Sequence, residues 1–310
     1  MKYLDRKIVI IGAGPAGMSL ASSLQLAGLD YVILEKKDEV GGQLPLIHND
    51  LDDFVVGVYK DGLDFAQKVI DFNNKYRLNV EFGCTIESID STKKKIHCLQ
   101  EGVEKVYVYD ILVIATGSRH RLAEKSLING YEKDVYYRIS HKLNEFVDKK
   151  ILVVGGGDNA TIAALKLSEI GRKVILVNKN DEMISRPDLV SDVYDDPKIV
   201  VYNNSELVHL SGEELLKKVE IIINVTAVKQ LIDIDKIVFK IGYLPNSGFV
   251  DKMIDLDDKA YIVTVGKYQT NIEGVFAIGD IVSGAYKRIA IAMGHGTELG
   301  NYFLKEYLVK

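Results

Sequence analysis

The chain has 310 residues, 47% hydrophobic and 27% charged, with a formal net charge of −5. That length predicts about two domains with substantial cores, and the charge balance predicts no nucleic-acid or membrane partner. Two cysteines, Cys84 and Cys98, are too few for a disulfide framework and suit a reducing, cytoplasmic setting, and six scattered histidines predict no metal site.

In chain order, Ile8-Val9-Ile10-Ile11 reads as a buried parallel strand running into Gly12-Ala13-Gly14-Pro15-Ala16-Gly17. A helix-period segment follows to Leu26, with Gly28 as its cap, and a second strand from Tyr31 ends on Glu35. Gly12 permits the tight turn, Gly14 the approach of a pyrophosphate, and Gly17 close helix–strand packing. The bare N–H groups at the helix start favour phosphates, and Glu35 stands where an acid accepts from a ribose diol. Three glycines, a proline and the charged Asp5-Arg6-Lys7 flank argue against a signal peptide or membrane helix. The stretch is therefore a dinucleotide-binding βαβ unit.

Beyond Glu35 comes a charged loop with Lys36, then Gly41-Gly42-Gln43 and His48. A helix is predicted over 62–76. Strands over 79–82, 85–89, 95–99 and 105–109 suggest a small antiparallel sheet, with both cysteines packed inside it. Ile111 to Ile114 is another buried strand, ending at Ala115-Thr116-Gly117.

At Ile151 the pattern repeats. Ile151 to Val154 enters Gly155-Gly156-Gly157-Asp158-Asn159-Ala160, a helix runs to Ile170 and is capped by Gly171, and a strand from Val174 ends at Asn178. Gly12 to Glu35 and Gly155 to Asn178 are both 23 positions. Two fingerprints in one register imply two dinucleotide sites and electron transfer between two cofactors. Asn178 stands where the first unit has an acid, so the group that confers NAD preference is missing. Lys179 and Arg186 favour NADP weakly. After Pro187 the sequence is acidic and turn-rich before strands over 220–225 and 235–241. Gly242 to Asn246 crosses back to the first domain. A final strand ends at Gly279-Asp280, and a helix follows over 289–307.

These blocks resemble the low-molecular-weight thioredoxin reductase-like flavoproteins over essentially the whole chain. The shared motifs are GAGPAG at 12–17, GGQ at 41–43, ATG at 115–117, GGGDNA at 155–160 and TNIEGVFAIGD at 270–280. The resemblance implies an α/β protein of two Rossmann-like domains, the second inserted into the first. The FAD domain would span 1–115 and 246–310, the NAD(P) domain 116–245, and the protein would be a homodimer. By position, Gly12, Gly14, Pro15, Ala16, Gly17, Glu35 and Lys36 would hold the ADP half of FAD, with the backbone at Thr85 near its adenine. Gly42, Gln43, Thr116, Gly117, Asp280, Arg288 and Ile289 would surround its flavin half. Gly155, Gly157, Asp158, Asn159, Ala160 and Lys179 would meet NAD(P)H.

Thioredoxin reductases carry a Cys-x-x-Cys just before the second glycine motif. Those positions here hold Arg138-Ile139-Ser140-His141, so no thiolate is available for dithiol exchange. The sequence is most similar in type to the thioredoxin reductase-like ferredoxin/flavodoxin–NADP+ reductases, which lack the pair. In that branch an aromatic residue stacks on the flavin, and His48 falls at about its position. Neither the branch's C-terminal flavin cover nor its basic NADPH cluster, whose place Asn178-Lys179-Asn180 takes, is expected here.

His141 is a candidate acid or base facing the flavin, or a surface residue. His295 lies near the expected pyrimidine, or packs a helix. Tyr286-Lys287-Arg288 offers positive charge to the flavin, or is a solvated loop. The expected function is electron transfer between NAD(P)H and a carrier such as ferredoxin or flavodoxin. An NAD(P)H oxidase or quinone reductase, and a flavin-binding redox sensor with a degenerate nicotinamide site, are the alternatives.

Overall fold

A computed structural model describes residues 7–47, 51, 54 and 57–308, with only the backbone at 140 and 141. His48 therefore lies outside the described residues. The chain divides into two compact units, one built from residues 1–119 and 244–310 and the other from 120–243.

The first unit opens with β1 (Ile8–Ile11), α1 (Pro15–Leu26) and β2 (Tyr31–Leu34). It continues with α2 (Gly62–Tyr76), β3 (Val80–Glu81), β4 (Cys84–Asp90), β5 (Lys95–Gln100), β6 (Val103–Val108) and β7 (Ile111–Ile114). β8 (Ser118–His120) carries the chain out of this unit. The second unit contains α3 (Lys125–Ile128), β9 (Val135–Tyr136), β10 (Lys150–Val154), α4 (Asp158–Ile170), β11 (Lys173–Val177) and α5 (Pro187–Asp195). Then come β12 (Ile199–Tyr202), β13 (Ser205–Ser211), β14 (Lys218–Ile223), β15 (Val228–Asp233) and β16 (Lys236–Phe239). β17 (Tyr243–Pro245) returns the chain, and β18 (Val275–Ala277) and α6 (Ile289–Tyr302) complete the first unit.

Each unit is built on a parallel sheet of five strands, ordered β18-β7-β1-β2-β3 in the first and β12-β11-β10-β16-β9 in the second. The central strands are apolar on both faces because helices or the smaller sheets cover both. All four residues of β1 and of β7 are buried, in register Ile8 with Ile111 through Ile11 with Ile114. Burying such an aliphatic side chain is worth about 1.5–3 kcal/mol, so these strands anchor the turns at their carboxyl ends. α1 packs on α6, where the Ser19 and Thr297 hydroxyls meet at 2.9 Å. Each unit also carries an antiparallel three-stranded sheet, β4-β5-β6 or β13-β14-β15.

Several expectations are corrected. The segment expected over 79–82 is the short β3, paired parallel with β2 at the edge of the main sheet, not part of the antiparallel insertion. The stretch after Pro187 is the helix α5: proline starts it, and Leu189 and Val193, one turn apart, bury its inner face. The last helix stops at Tyr302, and its final turn widens to a π-helix over Phe303–Tyr307. Gly171 ends α4 in extended conformation, with its N–H on the Leu167 carbonyl, and Gly28 follows the α1 cap residue Ala27.

Candidate functional site

In the first unit the glycine turn after β1 packs so tightly that side chains are excluded. A Cβ on Gly17 would lie 2.1 Å from the Gly12 carbonyl oxygen. α1 begins after Gly14 with no side-chain cap and no acid in its first turn. Its positive end and free N–H groups are thus left for an anion. Pro15 and Ala16 open the helix. Glu35, only 7% exposed, leaves the end of β2, and its Oε2 accepts from Ala13 N at 2.7 Å while Oε1 accepts from Lys37 N at 2.9 Å. Each oxygen keeps capacity for a further donor such as a ribose hydroxyl. The Glu35 carbonyl accepts from Cys84 N at 2.8 Å, which brings the Thr85 backbone alongside. Lys36 is exposed, whereas Lys37, which the sequence did not single out, also reaches the Gly42 carbonyl. Gly41 N donates to Ala13 O at 2.8 Å, so the GGQ loop folds onto the first turn.

The other predicted flavin-side residues of this unit form a second group. Gln43 Nε2 is 3.4 Å from Ser118 Oγ, and Ser118 is near enough to Asp280 to lower the pKa of its carboxyl. Burial pushes the Asp280 carboxyl up, against the opposing pull of Lys287 and Ser118. Thr116 Oγ1 donates to Asn246 O at 3.0 Å, and Asn246 Nδ2 donates back to Thr116 O at 2.8 Å, which fixes Gly117 at the end of that turn. Lys287 bonds the carbonyls of Asp280 and Val282, with its ammonium 4.0 Å from the Tyr261 ring centroid. Arg288 is the exposed cap residue of α6, and Ile289 is its first residue. His295 Nδ1 accepts from Gly279 N at 3.1 Å. The ring is therefore neutral in this contact, in agreement with burial lowering its pKa, and it braces the Gly279–Asp280 turn.

The second unit repeats the arrangement with different chemistry. A Cβ on Gly155 would lie 2.3 Å from Lys240 O, and Gly157 is the extended residue before α4. Asp158 Oδ1 accepts from Ser185 Oγ and Arg186 N, both at 3.0 Å, tying the turn to the loop after β11, and Ala160 is fully buried under the helix. Asn159 Nδ2 is 3.4 Å from Tyr243 Oη. Asn178 is 1% exposed and its amide is used internally: Nδ2 donates to Asn180 O and Asn203 Oδ1, and Oδ1 accepts from Asn180 N. Lys179 is exposed, and Arg186 is paired with Asp188 at 2.8 Å.

The model of the pyridine nucleotide-disulphide oxidoreductase family matches residues 6–296. The chain belongs to that family. As a family member it is an FAD-dependent NAD(P)H oxidoreductase, and the uncapped α1 start, the Glu35 carboxylate and the Gln43–Ser118–Asp280 group are chemically suited to FAD. Among the described residues no group of three potential metal ligands forms, and no helix is long and apolar enough to cross a membrane.

The chain is 26% identical to a ferredoxin–NADP reductase of Metallosphaera sedula, covering 94% of this chain and 90% of the relative. It is 29% identical to a 34.2 kDa protein in the rubredoxin operon of Clostridium pasteurianum, covering 96% and 94%. Its fold matches Lactococcus lactis thioredoxin reductase in the FR conformation with TM-score 0.86, at 24% identity and 98% coverage of each chain.

The stretch 138–141, where the sequence resemblance would place a dithiol, holds no cysteine. Arg138 is exposed, Ile139 is buried, and Ser140 begins a 3-10 segment over Ser140–Phe146, with the His141 side chain outside the described residues. Cys84 and Cys98 are free and buried in β4 and β5 of the other unit. Burial pushes the Cys84 thiol up to about 11 and raises Cys98 as well. Neither is a ready nucleophile near neutral pH.

Proposed function

We propose that the protein moves electrons between NAD(P)H and a one-electron carrier protein of ferredoxin or flavodoxin type. FAD is held by the unit made from both chain ends, and the pyridine nucleotide by the inserted unit. The observation carrying this reading is Arg138-Ile139-Ser140-His141 at the place of the reductase dithiol, together with two cysteines that are buried with raised pKa values in the other unit. A relative named ferredoxin–NADP reductase supports the carrier class, and one from a rubredoxin operon extends it to another small iron–sulfur protein.

Bound FAD supplies the conversion from a two-electron hydride donor to a source of single electrons. The chain's own residues bind and orient. The α1 N-terminus would neutralise the pyrophosphate, Glu35 would accept from the ribose hydroxyls, and Gln43 and Asp280 would fix the flavin half. Hydride transfer itself needs alignment, not an acid or base. We assign a weak preference for NADPH, less than about tenfold, because Lys179 is exposed and Arg186 is engaged by Asp188. We also assign a homodimer and a cytoplasmic setting, which suits two free thiols.

The test is steady-state turnover of the purified protein with NADPH or NADH against ferredoxin, flavodoxin, rubredoxin, a quinone, oxygen and thioredoxin. The proposal expects a carrier protein to be the best acceptor and thioredoxin to be inert. Faster turnover with the quinone or oxygen than with any carrier would move the assignment to a quinone reductase or oxidase.

A further inference from the structure

A group of side chains in the inserted unit gathers at the carboxyl end of the parallel sheet. β10 and β16 lie side by side there: from β10 the chain builds outward through β11 to β12, then returns to add β16 on the opposite side of β10, next to β9. This reversal is the topological switch point at which open α/β sheets bind ligands. The glycine turn 155–160 follows β10. Lys240 follows β16, and its N–H donates to Val154 O at 2.8 Å. The Lys240 side chain crosses the end of β9 and donates from Nζ to Tyr137 O at 3.0 Å.

Lys240 is mostly buried, yet among the described residues no carboxylate pairs with it. Its charged neighbour is itself basic, Arg138, and beside them stands His120, whose pKa burial, Lys240 and Arg138 all lower. His120 stacks on Tyr243, ring centroids 4.8 Å apart at 30°, and the Tyr243 hydroxyl meets Asn159 of the glycine turn. A wall of side chains thus runs from the first turn of α4 across β16 to β9. Buried cations in proteins are paired or hydrogen-bonded to acceptors, and a single carbonyl leaves two ammonium donors of Lys240 to be satisfied. An acceptor-rich ligand would satisfy them.

The position says which part of a ligand. Asn178 and Lys179 follow β11, on the side where the adenine-ribose half of a dinucleotide lies. Lys240 is on the other side of the switch point, over β16 and β9. We propose that Lys240, flanked by His120 and Tyr243, is a positioning residue that binds the phosphate and ribose oxygens of the nicotinamide mononucleotide half of the pyridine nucleotide. This rests on the reading that the inserted unit binds NAD(P)H.

The test measures binding alone, by calorimetry on the FAD-loaded protein with oxidised ligands. The ligands are NADP+, its adenine half 2′,5′-ADP, and nicotinamide mononucleotide, or NAD+ and ADP where the wild type takes that pair. Lys240→Met is expected to weaken NADP+ tenfold or more while leaving 2′,5′-ADP within twofold, and Lys240→Arg is expected to recover most of the loss. Unchanged NADP+ binding in Lys240→Met would overturn the proposal, as would equal losses for NADP+ and 2′,5′-ADP, which would mark a structural role. A wild type that binds none of these ligands would instead overturn the reductase reading on which the proposal rests.

Discussion

Glu35 Oε2 accepts the backbone N–H of Ala13 at 2.7 Å, so the acid that ends β2 is locked to the glycine turn that ends β1. Glu35→Ala removes this lock and the proposed ribose acceptor together. Charge-assisted hydrogen bonds are worth roughly 1.5–3 kcal/mol each, so FAD is expected to bind about ten- to hundredfold more weakly, measured by flavin fluorescence on titration into apoprotein. Glu35→Gln, which keeps an acceptor oxygen, is expected to lose less.

Gly155 has a φ of +143° and faces Lys240 O. Gly155→Ala is expected to destabilise the inserted unit by about 2 kcal/mol or more, from strain and the clash with the carbonyl. The other unit, proposed to hold the flavin, should be untouched. Thermal unfolding followed by circular dichroism should split into an earlier transition and a later one that coincides with flavin release.

Lys240 gives a pH dependence with a definite sign. Its amine is pulled from an ordinary 10.5 down to about 8, by burial first and then by the Arg138 charge. Below pH 8 both the folded and unfolded chains carry the proton, and the folded state bears the full cost of the buried charge, about 3 kcal/mol. From 8 to 10.5 the unfolded chain binds more protons, so stability rises with pH through this window. His120, held near 4 by burial and by Lys240 and Arg138, does not titrate there. Lys240→Met is therefore expected to be more stable than wild type at pH 7 and to lack the rise, measured as melting temperature between pH 7 and 10. The same substitution that strengthens the empty fold is expected to weaken nucleotide binding.

The sequence made the first βαβ unit legible because its information is local. A buried strand, three glycines and an acid at fixed spacing dictate one turn, and the bounds of α2 fall on 62–76, where Asp61 caps the helix by accepting from Asp64 N. What stayed hidden depends on distant partners. β3 has two residues, too few to show a period, and takes its sheet from β2. α5 was masked by its acids. Lys240 reads as a charge at a strand end; its burial follows from a carbonyl 103 residues earlier in the chain. A lysine directly after a buried parallel strand was the available signal.

Cys84 and Cys98 take no part in the proposed chemistry. Cys84→Ala with Cys98→Ala is expected to leave NAD(P)H-driven carrier reduction within about twofold, at a packing cost on the order of 1 kcal/mol per site. Steady-state turnover and melting temperature check the two halves of this statement.

The central claim, electron flow from NAD(P)H to a one-electron carrier without a dithiol, is tested most directly by anaerobic double-mixing stopped-flow. The protein is first alkylated under denaturant-free conditions and mixed with NADPH or NADH, then with oxidised ferredoxin, flavodoxin or rubredoxin. The account predicts rapid bleaching of the flavin in the first mix and its recovery, in single-electron steps, in the second. Absence of bleaching by either nucleotide while dithionite still reduces the flavin would contradict it, and so would reoxidation by a disulfide substrate that alkylation abolishes.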